Sequence, residues 1–229
     1  MFLLQILSLK PISILSSFVN LLILSSYFLI VFIIGEIAFR KLGVSAEITR
    51  KWSHIASGFL ALLFPFYFDH FAWVILICAT FGVFLFICKH YKFLPSINAV
   101  ERRTHGSILF PLAVTVSFIS YQYNHEIIYY YLPVLTLAIC DLCAAIIGKR
   151  FPIKSIKIYL ETKSLGGYLA FVISFVLLNI TFVLLGYQIP VYFILFTAFF
   201  TAFIELLSPR GFDNISIPLS VILCMMILM

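Results

Sequence analysis

Charge is what this sequence has least of. Asp, Glu, Lys and Arg make up 10% of its 229 residues, against about 25% in an ordinary soluble domain. That scarcity excludes a water-soluble globule, because so much apolar surface cannot be hidden behind so few polar side chains. Long polar linkers are also missing, which excludes a second, soluble domain and leaves one membrane domain over residues 1–229. Cysteine is sparse and ill placed for cross-linking: Cys78, Cys88, Cys140, Cys143 and Cys224 all fall in apolar stretches, which argues against a disulfide framework. The Cys140–Cys143 spacing brackets Asp141 and has no second pair to complete a thiolate metal site.

What is abundant is apolar and aromatic. Hydrophobic residues account for 63%, including 26 Phe and 12 Tyr. Crossing a hydrocarbon layer of about 30 Å takes about 20 apolar residues in a helix. Apolar runs near 12–35, 54–68, 71–88, 107–121, 129–148, 166–186, 190–206 and 215–229 predict an all-α, polytopic integral membrane bundle of about eight (seven or eight) transmembrane helices. The second, fourth and eighth runs are short enough to be partly re-entrant. The first, preceded by Lys10 and lacking a small-residue cleavage site, reads as a retained helix.

The connections alternate in character. Segments 36–53, 89–106, 149–165 and 207–214 hold every Lys and Arg except Lys10, whereas 69–70, 122–128 and 187–189 hold none. The positive-inside rule then puts the basic connections in the cytoplasm and both termini opposite. It also accounts for the net charge of +6 without a nucleic-acid partner. Most acids share the basic side: Glu36, Glu47, Glu101, Asp141, Glu161, Glu205 and Asp213, with Asp69 and Glu126 opposite. Topology does not require acids there, so their gathering predicts a site.

Three helix faces lead to that side. Asp141, Ala144, Ala145 and Gly148 recur at helical spacing, with Asp141 about 10 Å inside the helix end. An ionisable group at that depth needs a partner or water. His54, Ser57, Gly58 and Ala61 form a second small, polar face, and Thr197, Thr201, Glu205 and Ser208 a third. Arg50 and Lys51 precede the second face. Two connections end at helix starts suited to phosphate: Glu101-Arg102-Arg103-Thr104-His105-Gly106, and Lys163-Ser164-Leu165-Gly166-Gly167. Asp213 and Asn214, which end the polar connection Ser208-Pro209-Arg210-Gly211-Phe212-Asp213-Asn214, supply hard oxygen ligands for Mg²⁺ or simply a tight turn.

Taken in order, these blocks resemble the family of dolichol kinase, phytol kinase and the CTP-dependent diacylglycerol kinase. The resemblance covers residues 40–220. It rests on Arg50-Lys51 with His54 and Gly58, on Glu101-Arg102-Arg103 with Gly106, and on Asp141, Ala144 and Gly148 with Lys149-Arg150-Phe151. It continues through Lys163-Ser164-Leu165 to Glu205, Ser208-Pro209-Arg210-Gly211, Asp213-Asn214 and Pro218. The closing run looks most like phytol kinase. The chain departs from the pattern at Cys140, where the family carries Gly, and at Gly166-Gly167-Tyr168, where the family carries Glu-Gly-Ser; Glu161 is near enough to replace that Glu.

The resemblance implies phosphoryl transfer from CTP, with Mg²⁺, to a long-chain lipid alcohol such as a prenol, a polyprenol or diacylglycerol. The membrane would be a bacterial inner membrane or one of ER type. It implies Asp141, His54 and Glu205 as catalytic residues, and Asp141, Asp213 and Asn214 as metal ligands. Arg50, Lys51, Arg102, Arg103, Lys149, Lys163, Ser164, Gly166 and Gly167 would bind the nucleotide phosphates. The middle block is also similar to phosphatidate cytidylyltransferase, which makes a CDP-lipid. A transporter or lipid-binding protein is the non-enzymatic alternative, one that would carry polar residues through the whole depth of its helices.

Overall fold

The computed structural model describes residues 14–98, 105–158 and 161–229 of the protein. Among them the fold is helical apart from one hairpin. The long α1 (Ile14–Leu42) is apolar throughout. It stops where Gly43 takes a positive φ of 66° and the Val44 amide donates back to the Ala38 carbonyl at 3.2 Å, a left-handed glycine ending that satisfies one of the last carbonyls. After Ser45 the chain turns into α2 (Ala46–Ala61) and a short helical turn at Phe64–Tyr67 with Pro65 near its start. His70 caps α3 (Phe71–His90), its Nδ1 accepting from the Ala72 amide at 3.2 Å. A turn at Pro95–Asn98 precedes α4 (Gly106–Asn124).

The next span, α5 (Ile128–Arg150), carries Pro133 and then widens into a π-helical segment at Thr136–Cys140, where the Asp141 amide reaches back to the Thr136 carbonyl. Strands β1 (Ser155–Ile158) and β2 (Glu161–Ser164) pair antiparallel with Ser155 opposite Ser164. Ser164 accepts from the Gly167 amide at 3.2 Å and so caps α6 (Leu165–Leu184). Helices α7 (Val191–Leu207) and α8 (Asp213–Leu228) complete the chain.

Four of these helices, α1, α3, α5 and α6, are long and apolar enough to cross a membrane, while α7 and α8 are apolar but shorter. Large side chains such as Ile33, Val83, Leu177 and Phe196 are exposed, as expected where lipid is the solvent. The predicted runs fall largely on these helices, except that residues 12 and 13 lie outside the described residues and the run 54–68 is split between α2 and the turn at Phe64–Tyr67. Helix α2 begins at Ala46, eight residues before the expected run, because its first turns are amphipathic rather than apolar. The hairpin at 155–164 stands where a plain loop is expected.

The connections gather at two ends. At one, the Thr49 hydroxyl donates to the Ser96 carbonyl at 2.6 Å, Glu36 accepts from the Ser96 amide at 3.2 Å, and Lys149 pairs with Glu47. There too the His105 amide donates to the Arg210 carbonyl at 2.8 Å, and the Leu165 amide to that of Ile153 at 2.9 Å. At the other end, Gln122 ties the Asp69 carbonyl to the Phe71 amide, and the Asn20 amide group donates to the Tyr67 carbonyl at 3.0 Å. The charged connections therefore share one end of the bundle. Two buried apolar cores run away from that end. One is built largely on α5 to α8, around Phe171, Phe175 and Phe193; the other on α1 to α5, around Phe28, Phe64, Phe81 and Tyr130. Phe110 packs against both.

Candidate functional site

A cavity of about 220 Å³ opens at the charged end between the two cores. Carboxylate oxygens of Asp141 on α5, Glu205 on α7 and Asp213 at the start of α8 lie within 4.8 Å of one another there. Three helices separated by up to 72 residues thus bring their acids to one point, although Glu205 is only 4% exposed. Such crowding is unfavourable without cations nearby. Lys163, on β2, enters the cluster: its ammonium pairs with Glu205 and lies 3.8 Å from Asp213. Burial disfavours the charge on Lys163, but Glu205, Asp213 and Asp141 outweigh it and hold the ammonium above the ordinary lysine pKa.

Local sequence explains how the hairpin delivers that lysine. Gly148 on α5 faces Gly167 on α6, and a Cβ on Gly167 would lie 2.9 Å from the Ala144 carbonyl. The Ser164 hydroxyl sits in the same gap, donating to the Gly148 carbonyl at 3.1 Å. Small residues therefore let α6 start directly against α5, which places the residue before Ser164 beside Asp141. Gly166 packs against the Phe151 carbonyl, where any Cβ would collide. A second close approach joins α4 to α8. Gly211, at φ 86°, leaves no room for a Cβ, which would lie 2.6 Å from the Gly106 nitrogen. A Cβ on Gly106 would in turn meet Asn214 at 2.5 Å and Arg50 at 3.0 Å.

The expected site residues divide clearly. Asp141, His54, Glu205, Asp213, Asn214, Arg50, Lys51, Lys149, Lys163, Ser164 and Gly167 all line the cavity. Gly166 does not line it, and the Gly167 amide is taken by Ser164, so both glycines serve packing here. Lys149 reaches the rim, where it pairs with Glu47. Glu36 also binds within the fold, to Arg40 and Ser96, and stands apart from the carboxylate cluster. Arg102 and Arg103 lie outside the described residues, as do Glu101 and the Glu161 side chain. The five cysteines are free thiols. The contact of Lys163 with Glu205 was not anticipated, and no local sequence signal announces a pair 42 residues apart.

The cluster suits a hard divalent cation. Mg²⁺ takes oxygens at about 2.0–2.1 Å, so its ligands stand about 3 to 4 Å apart, close to the spread of these three carboxylates. Asn214 adds an oxygen: its amide nitrogen is held by the Gly211 carbonyl and Asp213 at 3.1 and 3.2 Å, while its Oδ1 is buried with no hydrogen-bond partner. A second buried atom without a hydrogen-bond partner is Nε2 of His54. The His54 ring meets Phe110 edge-on at 4.9 Å, on the wall of the same cavity.

Membrane helices with acids, a lysine and a histidine converging on one cavity at one end form a polar site of the kind used at a lipid–water boundary. The chain is 26% identical over 178 residues to the phytol kinase of Synechocystis sp. (strain ATCC 27184 / PCC 6803 / Kazusa), a span covering 76% of each protein. This similarity supports the resemblance to the phytol and dolichol kinase-like family. No family model matches the chain, and no solved structure matches it significantly.

Proposed function

We propose that the protein is a lipid-alcohol kinase, transferring the γ-phosphoryl group of CTP to a prenol, polyprenol or diacylglycerol hydroxyl at the cytoplasmic face of the membrane. The observation that carries this reading is the convergence of Asp141, Glu205 and Asp213 beside Lys163. It is supported by the similarity to a phytol kinase. CTP as donor follows from the family resemblance, and the cytoplasmic orientation from the basic connections.

Phosphoryl transfer needs positioning and charge neutralisation more than covalent help from the protein. Asp141, Asp213, Glu205 and Asn214 are the residues that would hold Mg²⁺, which when bound neutralises charge on the phosphate oxygens. Lys163, Arg50 and Lys51 bind phosphate oxygens from the cavity wall, and the family resemblance gives Arg102 and Arg103 the same role. His54, through its unpartnered Nε2, accepts the alcohol's proton as its oxygen bonds to phosphorus and CDP leaves. The lipid stays in the membrane, with only its hydroxyl raised to the polar layer.

The test is transfer of label from γ-³²P CTP to phytol, farnesol, polyprenols or diacylglycerol by the purified protein in detergent with Mg²⁺. ATP, GTP and UTP are run beside it. Label in a lipid supports the kinase and identifies both substrates. Pyrophosphate release with phosphatidate, and no labelled lipid alcohol, would replace it with CDP-lipid synthesis.

A further inference from the structure

The connection from α5 to α6 carries more than Lys163. From Lys149 to Lys157 it holds four basic residues and no acid. Lys149 pairs with Glu47, whereas Arg150, Lys154 and Lys157 are exposed and enter no ion pair among the described residues. Basic residues alone serve to mark one side of a membrane, and apolar ones between them are not needed for that. Yet Phe151, Ile153 and Ile156 are 58%, 55% and 55% exposed. The backbone fixes the level of the first two. The Ile153 carbonyl accepts from the amide of Leu165, the first residue of α6, at 2.9 Å, and the Phe151 carbonyl packs on Gly166. These side chains therefore stand where a membrane-spanning helix begins, at the height of the exposed Leu165.

We propose that residues 150–157 form a docking surface for anionic phospholipids of the surrounding leaflet, and that this contact holds Lys163 in the carboxylate cluster. Phe151, Ile153 and Ile156 enter the boundary between acyl chains and headgroups. Arg150, Lys154 and Lys157 reach lipid phosphates from the same segment, as basic residues beside a membrane do. Strand register supplies the link to the site. Ile156 pairs with Lys163 across the hairpin, so the two side chains share a face. On that face Lys163 is turned into the cluster while Ile156 is left uncovered by the bundle, which makes β1 the outer strand. A lipid surface that holds β1 thereby holds β2 and its ammonium. The effect on transfer rests on the lipid-alcohol kinase reading; the docking does not.

The experiment is amide hydrogen exchange of the full chain in nanodiscs of phosphatidylcholine alone and of phosphatidylcholine mixed with phosphatidylglycerol. Exchange needs no turnover, so it reads docking even if the transfer assay gives nothing. Hairpin amides are expected to exchange at least about fivefold more slowly in the mixed discs, the gain from a single basic residue at an anionic surface. High salt should remove the difference by screening. A variant combining Arg150→Gln, Lys154→Gln and Lys157→Gln should exchange at the phosphatidylcholine rate in both discs. Ile156→Ser should exchange faster in both, because its anchor is apolar. Three results would overturn the docking: equal exchange of the unaltered protein in the two lipids, slowing that survives in the triple variant, or equal slowing by inorganic phosphate in phosphatidylcholine discs. The last would assign the basic residues to a soluble anion. In the labelled-CTP assay, phosphatidylglycerol should raise transfer severalfold for the unaltered protein and leave the triple variant at its phosphatidylcholine rate. Equal transfer in both lipids, with the exchange difference present, overturns the link to Lys163.

Discussion

Lys163 and Glu205, 42 residues apart in sequence, form a buried ion pair whose side chains are 16% and 6% exposed. The pair fastens the β-hairpin to α7 and brings an ammonium into the carboxylate cluster. Breaking it leaves an uncompensated charge in a place with little water, at a cost of about 3–5 kcal/mol. Lys163→Met is expected to lower the unfolding temperature in detergent sharply, and added Mg²⁺ to restore part of the loss by replacing the missing positive charge. A thermal melt unaffected by the substitution contradicts this account.

The pH dependence of that pair has a definite sign. The Lys163 pKa is raised above its ordinary 10.5, so its contribution to stability is complete below that value. It is lost as pH climbs through the higher folded value. The stability gap between the unaltered protein and Lys163→Met should therefore shrink as the buffer is taken upward from about pH 10. Denaturant titrations of both proteins across that range measure it.

Asp141→Asn keeps the shape of the side chain and removes its charge. The loss in kcat is expected to be at least on the order of 10²–10³, as for other groups that stabilise charge in a transition state, with the helical circular-dichroism signal unchanged. Asp213→Asn should weaken the response to Mg²⁺, seen as a higher Mg²⁺ concentration for half-maximal transfer. Transfer at the normal rate by Asp141→Asn would remove that residue from the mechanism.

Two glycines with positive φ separate strain from site geometry. Gly186, at φ 96°, has open space around its missing Cβ, whereas Gly211 abuts the Gly106 backbone. Gly186→Ala should cost about 1–2 kcal/mol through the left-handed backbone alone and leave transfer intact. Gly211→Ala adds the collision, which pushes α4 from α8 and displaces Asn214 and Arg50. Stability and transfer should fall together in that variant, and steady-state kinetics beside thermal melts distinguish the two.

The helical bundle and the gathering of charge at one end were legible because hydrophobic runs and basic connections are local, one-dimensional signals. So were the faces carrying Asp141, His54 and Glu205, since helical spacing alone aligns them. The start of α2 was missed because Glu47, Arg50 and Lys51 interrupt the apolar run, although Ser45 marks the helix start. The hairpin had a signal that length alone obscured: Ser155-Ile156-Lys157-Ile158 alternates polar and apolar residues. What no local pattern carried was the meeting of Asp141, Glu205, Asp213 and Lys163. It depends on Gly148, Gly167, Gly106 and Gly211 allowing backbones to touch, which is a property of helix pairs.

The π-helical segment at Thr136–Cys140 works as a phase setting on α5. Each residue advances an α-helix by about 100° and 1.5 Å, so one extra residue wound into the segment offsets everything after it from everything before. The half around Tyr130, whose hydroxyl is held by the Ala61 carbonyl at 2.6 Å, can therefore fit the inner core on its own terms, while the half from Asp141 onward is dialled separately towards the cavity. Shortening the segment by one residue would keep a membrane-spanning helix of nearly the same length yet swing Asp141 by roughly a quarter turn. The orientation of the site is written in the winding of a single helix as much as in the identity of its side chains.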